Sequence, residues 1–232
     1  MASNDRMRKM LHNIAGVLHN QEQVIRPVGK LDEHAATSPI VPPKQPPDDG
    51  FWKNYAGQFS GNEGFYSRYE LYVGYLCEKD GWNVEYRGYT KHMHTQGIDM
   101  ICTKGNNVRV IKCNNWPKNK QLSAAFIHQL AIVSLNYANE NPSLEVKGMF
   151  VTSASISDDA KAFAKNFGVV CYEKVPFEPF PYVKCKVMSS GEKVYFTPRD
   201  GGYFDTVILP ANGDMFCWNT GQAENYGFTH GN

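Results

Sequence analysis

Two carboxylates, one ammonium and one amide are the side chains in this sequence whose types and spacing best suit chemistry. Asp99 stands in the apolar run Ile98-Asp99-Met100-Ile101-Cys102. Lys112 and Asn114 stand two residues apart at the end of the next run, Val108-Arg109-Val110-Ile111-Lys112-Cys113. The intervening Lys104-Gly105-Asn106-Asn107 is turn chemistry, so the two runs form a hairpin. Side chains alternate along a strand, which puts Lys112 and Asn114 on one face. Glu70, in a helical stretch further upstream, can reach the same end of the sheet. Carboxylate oxygens converging on one or two hard cations, beside a positive or hydrogen-bonding group, are what metal-assisted phosphodiester cleavage requires. The cofactor to expect is Mg2+ or Mn2+.

The elements that must position these residues are legible from periodicity. Phe65, Tyr69, Tyr72, Val73 and Leu76 recur at three- and four-residue steps, predicting a helix from Gly64 to Lys79 that Asp80-Gly81 terminates. Strands follow at Trp82 to Tyr86, Ile98 to Cys102 and Val108 to Cys113. A long helix over about Ser123 to Asn139 comes next, then a strand from Val146 to Thr152, a helix from Asp158 to Asn166 and a strand from Val169 to Tyr172. That order describes an α/β unit with a mixed central sheet flanked by helices on both faces.

The order and wording of the motifs resemble the Mrr-like branch of the PD-(D/E)xK restriction endonuclease superfamily. The matching pieces are Tyr69-Glu70, Gly81-Trp82, Gly97-Ile98-Asp99-Met100, Val110-Ile111-Lys112-Cys113-Asn114-Asn115-Trp116 and Gly148-Met149-Phe150-Val151-Thr152-Ser153, about 110 residues in one order. The resemblance implies a restriction endonuclease-like core and a nuclease acting on DNA, with Glu70 and Asp99 on the metal. It also marks a departure: where that branch reads Gln-x-Lys, this chain reads Lys112-x-Asn114. An asparagine cannot supply a cation, although Lys112 restores one ammonium two residues away on the same face. A lysine stem of ~6 Å is comparable to that two-residue step, so Lys112 could stabilise the phosphate while Asn114 positions the water.

Other residues near this region carry weaker signals. His92 and His94 precede Asp99 in a loop and lack the companion ligands of a metal cluster, which makes them solvated or phosphate-contacting side chains. Lys118 and Lys120 add local positive charge beside Lys112 and are candidates for phosphate contact. Gln129 in the long helix and Thr152-Ser153 at a strand end resemble family positions near the substrate, and they also read as polar caps of buried elements. Trp116 reads as packing.

Length and composition frame these readings. The chain has 232 residues, 42% of them hydrophobic, enough for a domain with a real core and a smaller appended unit. Lys plus Arg number 24 and Asp plus Glu 23, so any affinity for DNA must be local. Six cysteines without a C-x-x-C pair, no signal-type segment and no apolar stretch of membrane-spanning length predict free thiols and a cytoplasmic protein without membrane contact. Residues 1–50 read as an amphipathic helix (Met7, Met10, Leu11, Ile14, Leu18) and a Pro-rich linker, suited to holding a protein partner. Residues 51–175 then form the nuclease-type domain, and 176–232, beyond the break from Pro176 to Pro181, a small β-rich module. That module resembles the unit found behind some nucleases and related to the metal-binding domain of Ada-type repair proteins. With Cys185 and Cys217 alone in place of four ligands, no structural zinc is expected. Its strands are predicted at 182–187, 193–196, 206–209 and 215–218. Residues 182–232 carry four basic and five acidic side chains, so packing against the core or a protein partner is expected rather than unaided DNA binding.

Two functions remain open at this level. One is a metal-dependent DNA endonuclease using Glu70, Asp99, Lys112 and Asn114. The other is a catalytically silent nuclease fold that binds DNA or assembles with protein.

Overall fold

Tyr69, Leu71, Tyr72, Val73, Tyr75 and Cys77 are all buried, because the first helix of the described chain is covered on two sides. The computed structural model describes residues 50–52, 63–87, 97–117 and 119–231. The proposed amphipathic helix, most of the Pro-rich linker, His92, His94 and Lys118 lie outside these residues. Helix α1 (Glu63–Lys79) ends as its composition predicts. The Asp80 N–H donates to the carbonyls of Leu76 and Cys77, and the Trp82 N–H donates to that of Cys77, closing the last turn.

The central sheet contains β1 (Asn83–Tyr86), β2 (Met100–Lys104), β3 (Asn107–Asn114), β5 (Glu145–Thr152) and β7 (Val170–Tyr172) in the order β1-β2-β3-β5-β7. The first three run antiparallel as a meander, and β3, β5 and β7 run parallel. Parallel neighbours need crossovers, and these are the helices α2 (Ala125–Glu140) and α3 (Asp158–Asn166). Ile101, Val108, Val110 and Phe150 pack toward α2 and α3 in one core. Met100, Cys102, Ile111, Cys113, Met149 and Val151 pack toward α1 in another. The mixed sheet with helices on both faces is the architecture expected from the sequence. A short parallel pair, β4 (Gln121–Leu122) with β6 (Ser155–Ile156), adds a two-residue ladder too brief to leave a periodic signal.

The C-terminal module is a second sheet of order β10-β8-β9-β11, formed by β8 (Val183–Val187), β9 (Lys193–Phe196), β10 (Met215–Cys217) and β11 (Thr229–His230), with α4 (Thr220–Asn225) against it. The strand predicted at 206–209 is absent. Its backbone groups are satisfied by side chains instead: Lys184 Nζ donates to the Thr206 carbonyl, Lys186 Nζ to that of Val207, and the Leu209 N–H donates to Asp214 Oδ2. With those groups already paired, no neighbouring strand is needed.

The module does not stand apart from the nuclease-type domain. Phe180, Tyr182, Val183, Cys185, Tyr203 and Phe216 share one continuous core with α1 and β1. Gly74 makes the α1–β1 contact possible, since a methyl group there would run into the Tyr86 hydroxyl. All six cysteines are free and buried, and no helix among the described residues is long and apolar enough to cross a membrane.

Candidate nuclease centre

Gly97 turns the chain into β2. Its φ of +77° is a left-handed conformation that favours glycine, and a Cβ at this position would sit 2.5 to 2.8 Å from the side-chain amide of Gln129 on α2, which would have to move aside. Gln129 is thereby placed beside the turn that leads to Asp99. The Asp99 backbone continues the ladder on the β1 side, where its carbonyl accepts from the Arg87 N–H at 2.8 Å; on the β3 side its N–H donates at 2.9 Å to the carbonyl of Ile111, the residue already paired with Met100, so the register slips by one residue there. The carboxylate is held as firmly as the backbone.

The paired register of β2 and β3 ends at Met100 opposite Ile111, and just beyond it the side chains of Asp99 and Lys112 meet. Lys112 Nζ donates to Asp99 Oδ1 at 2.9 Å, and the Cys113 N–H donates to Asp99 Oδ2 at 2.6 Å. The Asp99 side chain is 8% exposed and that of Lys112 26%. Both carboxylate oxygens therefore have protein partners. Burial alone would lower the Lys112 pKa, but Asp99 outweighs it and lifts the ammonium above its ordinary value. The Cys113 thiol is pushed far up by burial and by Asp99 and Glu70, which makes it an inert packing group.

Glu70 projects from α1, close enough to feel both partners. Burial, followed by the charge of Asp99, pushes its carboxyl up to about 8 against the opposing pull of Lys112. A carboxyl raised from about 4.5 in the unfolded chain contributes stability that is fully present below that value and is lost as pH rises through 8. Glu70→Gln keeps the shape of the group without its charge. Its unfolding free energy is expected to match that of the parent near pH 4.5 and to exceed it by on the order of 1–3 kcal/mol near pH 8.5. Urea titrations at the two pH values measure this difference, and a pH-independent difference would contradict the assignment.

The remaining candidates divide by what their polar atoms already do. Asn114 ends β3 opposite Thr152 in the parallel β3–β5 ladder, half-buried on the Lys112 side. Thr152 is fully buried, and its hydroxyl accepts from the Ala154 N–H. The Ser153 hydroxyl accepts from the Trp116 N–H at 2.8 Å and donates to the Trp116 carbonyl at 2.7 Å. Thr152 thus shapes the turn after β5 and Ser153 ties that turn to the loop after β3, so both hydroxyls are engaged with backbone. Lys120 sits 3.4 Å from the centre of the Trp116 ring, a cation–π contact that holds the lysine head over this loop. Asp99 and Lys112 are in contact, Glu70 lies close enough to feel both, and Gln129 packs against the turn that leads to Asp99, whereas Asn114 is paired with Thr152 at the end of β3 and Lys120 sits over Trp116 in the loop beyond. Two partners escaped the sequence reading. The Cys113 N–H that donates to Asp99, and the backbone of Trp116, which exchanges a pair of hydrogen bonds with the Ser153 hydroxyl, are main-chain groups for which composition gives no signal.

A divalent cation can be tested against this donor set. Among the described residues, no group of three His, Cys, Asp or Glu side chains is arranged to hold a metal. The carboxylate that would bind first already carries an ammonium at 2.9 Å. Two unit charges 4 Å apart interact by about 4 kcal/mol at the effective dielectric of a protein surface, and a divalent ion beside Lys112 would be repelled by about twice that. The arrangement as built does not fit a metal.

Comparison with known proteins adds the following. Residues 66–175 match the family model Mrr_cat, described as "Restriction endonuclease". Among solved structures, the protein of unknown function AF1548 is similar at 16% identity and a TM-score of 0.39, with 47% of this chain and 59% of that one covered. The MspJI restriction endonuclease in complex with a 27-mer oligonucleotide is similar at 13% identity and a TM-score of 0.36, with 61% of this chain and 33% of that one covered. The chain therefore spans less than two thirds of either. No curated protein matches the sequence.

Proposed function

We propose, from the premise that residues 66–175 form a restriction endonuclease domain and hence a unit of a nuclease family, that this chain binds DNA through the sheet end bearing Asp99, Lys112 and Asn114. In this reading the nuclease fold serves as a binding and assembly module. The observation that carries it is the ion pair between Lys112 and Asp99, which occupies the carboxylate a metal would need; the pair is net neutral, and the neighbouring Lys120 supplies the positive charge. Lys112 and Lys120 would meet phosphates, with Gln129 beside them. His92, His94 and Lys118 are proposed to add contacts from the flanking loops. The C-terminal module already shares a core with α1, so residues 1–50 are the better candidate for holding a protein partner. Six buried free thiols suit a reducing, cytoplasmic setting.

A second reading, a Mg2+- or Mn2+-dependent endonuclease, is favoured by one observation: Glu70, Asp99 and Lys112 lie close enough to perturb one another's ionisation. The misfit of the donor set weighs against it.

Mobility-shift titration of a short duplex in EDTA tests the binding claim. Binding is expected with a dissociation constant on the order of 1–100 μM near physiological salt, weakening as salt rises. Lys120→Ala should reduce the slope of log K against log[salt] by roughly 1. Absence of a shift at 200 μM protein in low salt would overturn the DNA reading.

A further inference from the structure

We infer that Lys112 is a cation built into the chain at the place where this nuclease centre would otherwise hold a divalent ion, so that engagement of a phosphate at the site requires no metal. The inference rests on the proposed DNA-binding reading for its ligand, but its structural basis is independent of DNA.

Three observations carry it. The first is position: the β2–β3 ladder ends at Met100 opposite Ile111, and just beyond it the Lys112 ammonium reaches the Asp99 carboxylate at 2.9 Å. The second is saturation, because Asp99 Oδ1 accepts from Lys112 and Asp99 Oδ2 from the Cys113 N–H. An incoming hard cation would have to displace the ammonium from Asp99, the one acidic residue that the hairpin itself supplies between residues 97 and 117. The third is the charge count along β3. Asn114 is neutral and Lys112 charged, so the strand end offers one ammonium, already directed at the carboxylate, and no second one to face a phosphate beside a bound metal.

An ammonium differs from a divalent ion in what it does for a phosphate. It neutralises one unit of charge and donates hydrogen bonds, yet it cannot hold and acidify a water as a metal does. A centre of this kind grips a phosphodiester without activating a nucleophile. Binding would then be indifferent to chelators.

Mn2+ binding by the full chain, read from loss of the free-ion electron paramagnetic resonance signal, tests the inference without using DNA. The parent protein is expected to bind Mn2+ no more tightly than Asp99→Asn. Lys112→Gln, with the ammonium gone, is expected to bind at least tenfold more tightly than the parent. Retention of Mn2+ by the parent in the micromolar range, lost in Asp99→Asn, would overturn the proposal. This comparison needs only the parent and the near-isosteric Asp99→Asn, so it remains decisive if Lys112→Gln folds poorly. Duplex titrations in EDTA and in Mg2+ at matched ionic strength form the second arm. Equal affinity in both is expected, and tighter binding in Mg2+ by tenfold or more would also count against the proposal. A chain that binds neither Mn2+ nor DNA removes the DNA reading and leaves the built-in cation standing.

Discussion

Replacing Lys184 by alanine is expected to lower the unfolding free energy by about 3–5 kcal/mol. Lys184 is fully buried, and its Nζ donates to Glu78 Oε1 at 2.5 Å and to the Thr206 carbonyl at 2.9 Å. The ring of Tyr203 lies 4.7 Å from the same nitrogen. Glu78 belongs to α1 and is itself 7% exposed, so removal of the lysine strands a carboxylate in the shared core. Replacing both partners with apolar residues of similar size, Glu78→Leu with Lys184→Met, removes the stranded charge together with its partner. Most of the loss should return in that double variant. Equilibrium denaturation of the two single variants and the double variant measures the coupling. A loss below 1 kcal/mol in Lys184→Ala would show that the pair does not bind the module to the domain.

The position of this pair links stability to the candidate centre. Glu78 lies two turns beyond Glu70 on α1, and the module packs against the same helix. Whatever loosens the module therefore loosens the helix that presents Glu70. This is the physical reason to treat residues 63–231 as one cooperative unit rather than as a nuclease domain with a detachable tail.

Much of this was readable in advance because it depends on local rules. Helix α3 begins at Asp158 and ends at Asn166 as the periodicity predicts, and α1 stops at Asp80-Gly81 where turn residues end the apolar stripe. Gly105 and Asn106 form the predicted turn between β2 and β3, and alternation placed Lys112 and Asn114 on one face. What could not be read depends on distant partners. Val183-Lys184-Cys185-Lys186 alternates like a strand with one wet face, but that strand is covered on both sides, and the partner of Lys184 is 106 residues away. The run from Thr206 to Leu209 has strand-forming residues, yet Lys184, Lys186 and Asp214 capture its backbone groups. At the centre, residue types suggested a lysine free to move toward a phosphate. In the structure its ammonium instead sits on Asp99, just beyond the end of the β2–β3 ladder.

The proposed role of Lys112 is tested most directly by installing, in place of Lys112-x-Asn114, the Gln-x-Lys order of the Mrr-like branch that the sequence resembles. Supercoiled plasmid is incubated in Mg2+ and in Mn2+ with the parent chain, with Lys112→Gln plus Asn114→Lys, and with that pair carrying Asp99→Ala. The parent is predicted to leave the plasmid intact. The double variant is predicted to nick or linearise it at a rate roughly a hundredfold or more above the parent's background, and Asp99→Ala in that setting to abolish the gain. Metal-dependent cleavage by the parent itself, abolished by Asp99→Ala and unchanged by the exchange, would contradict the central claim.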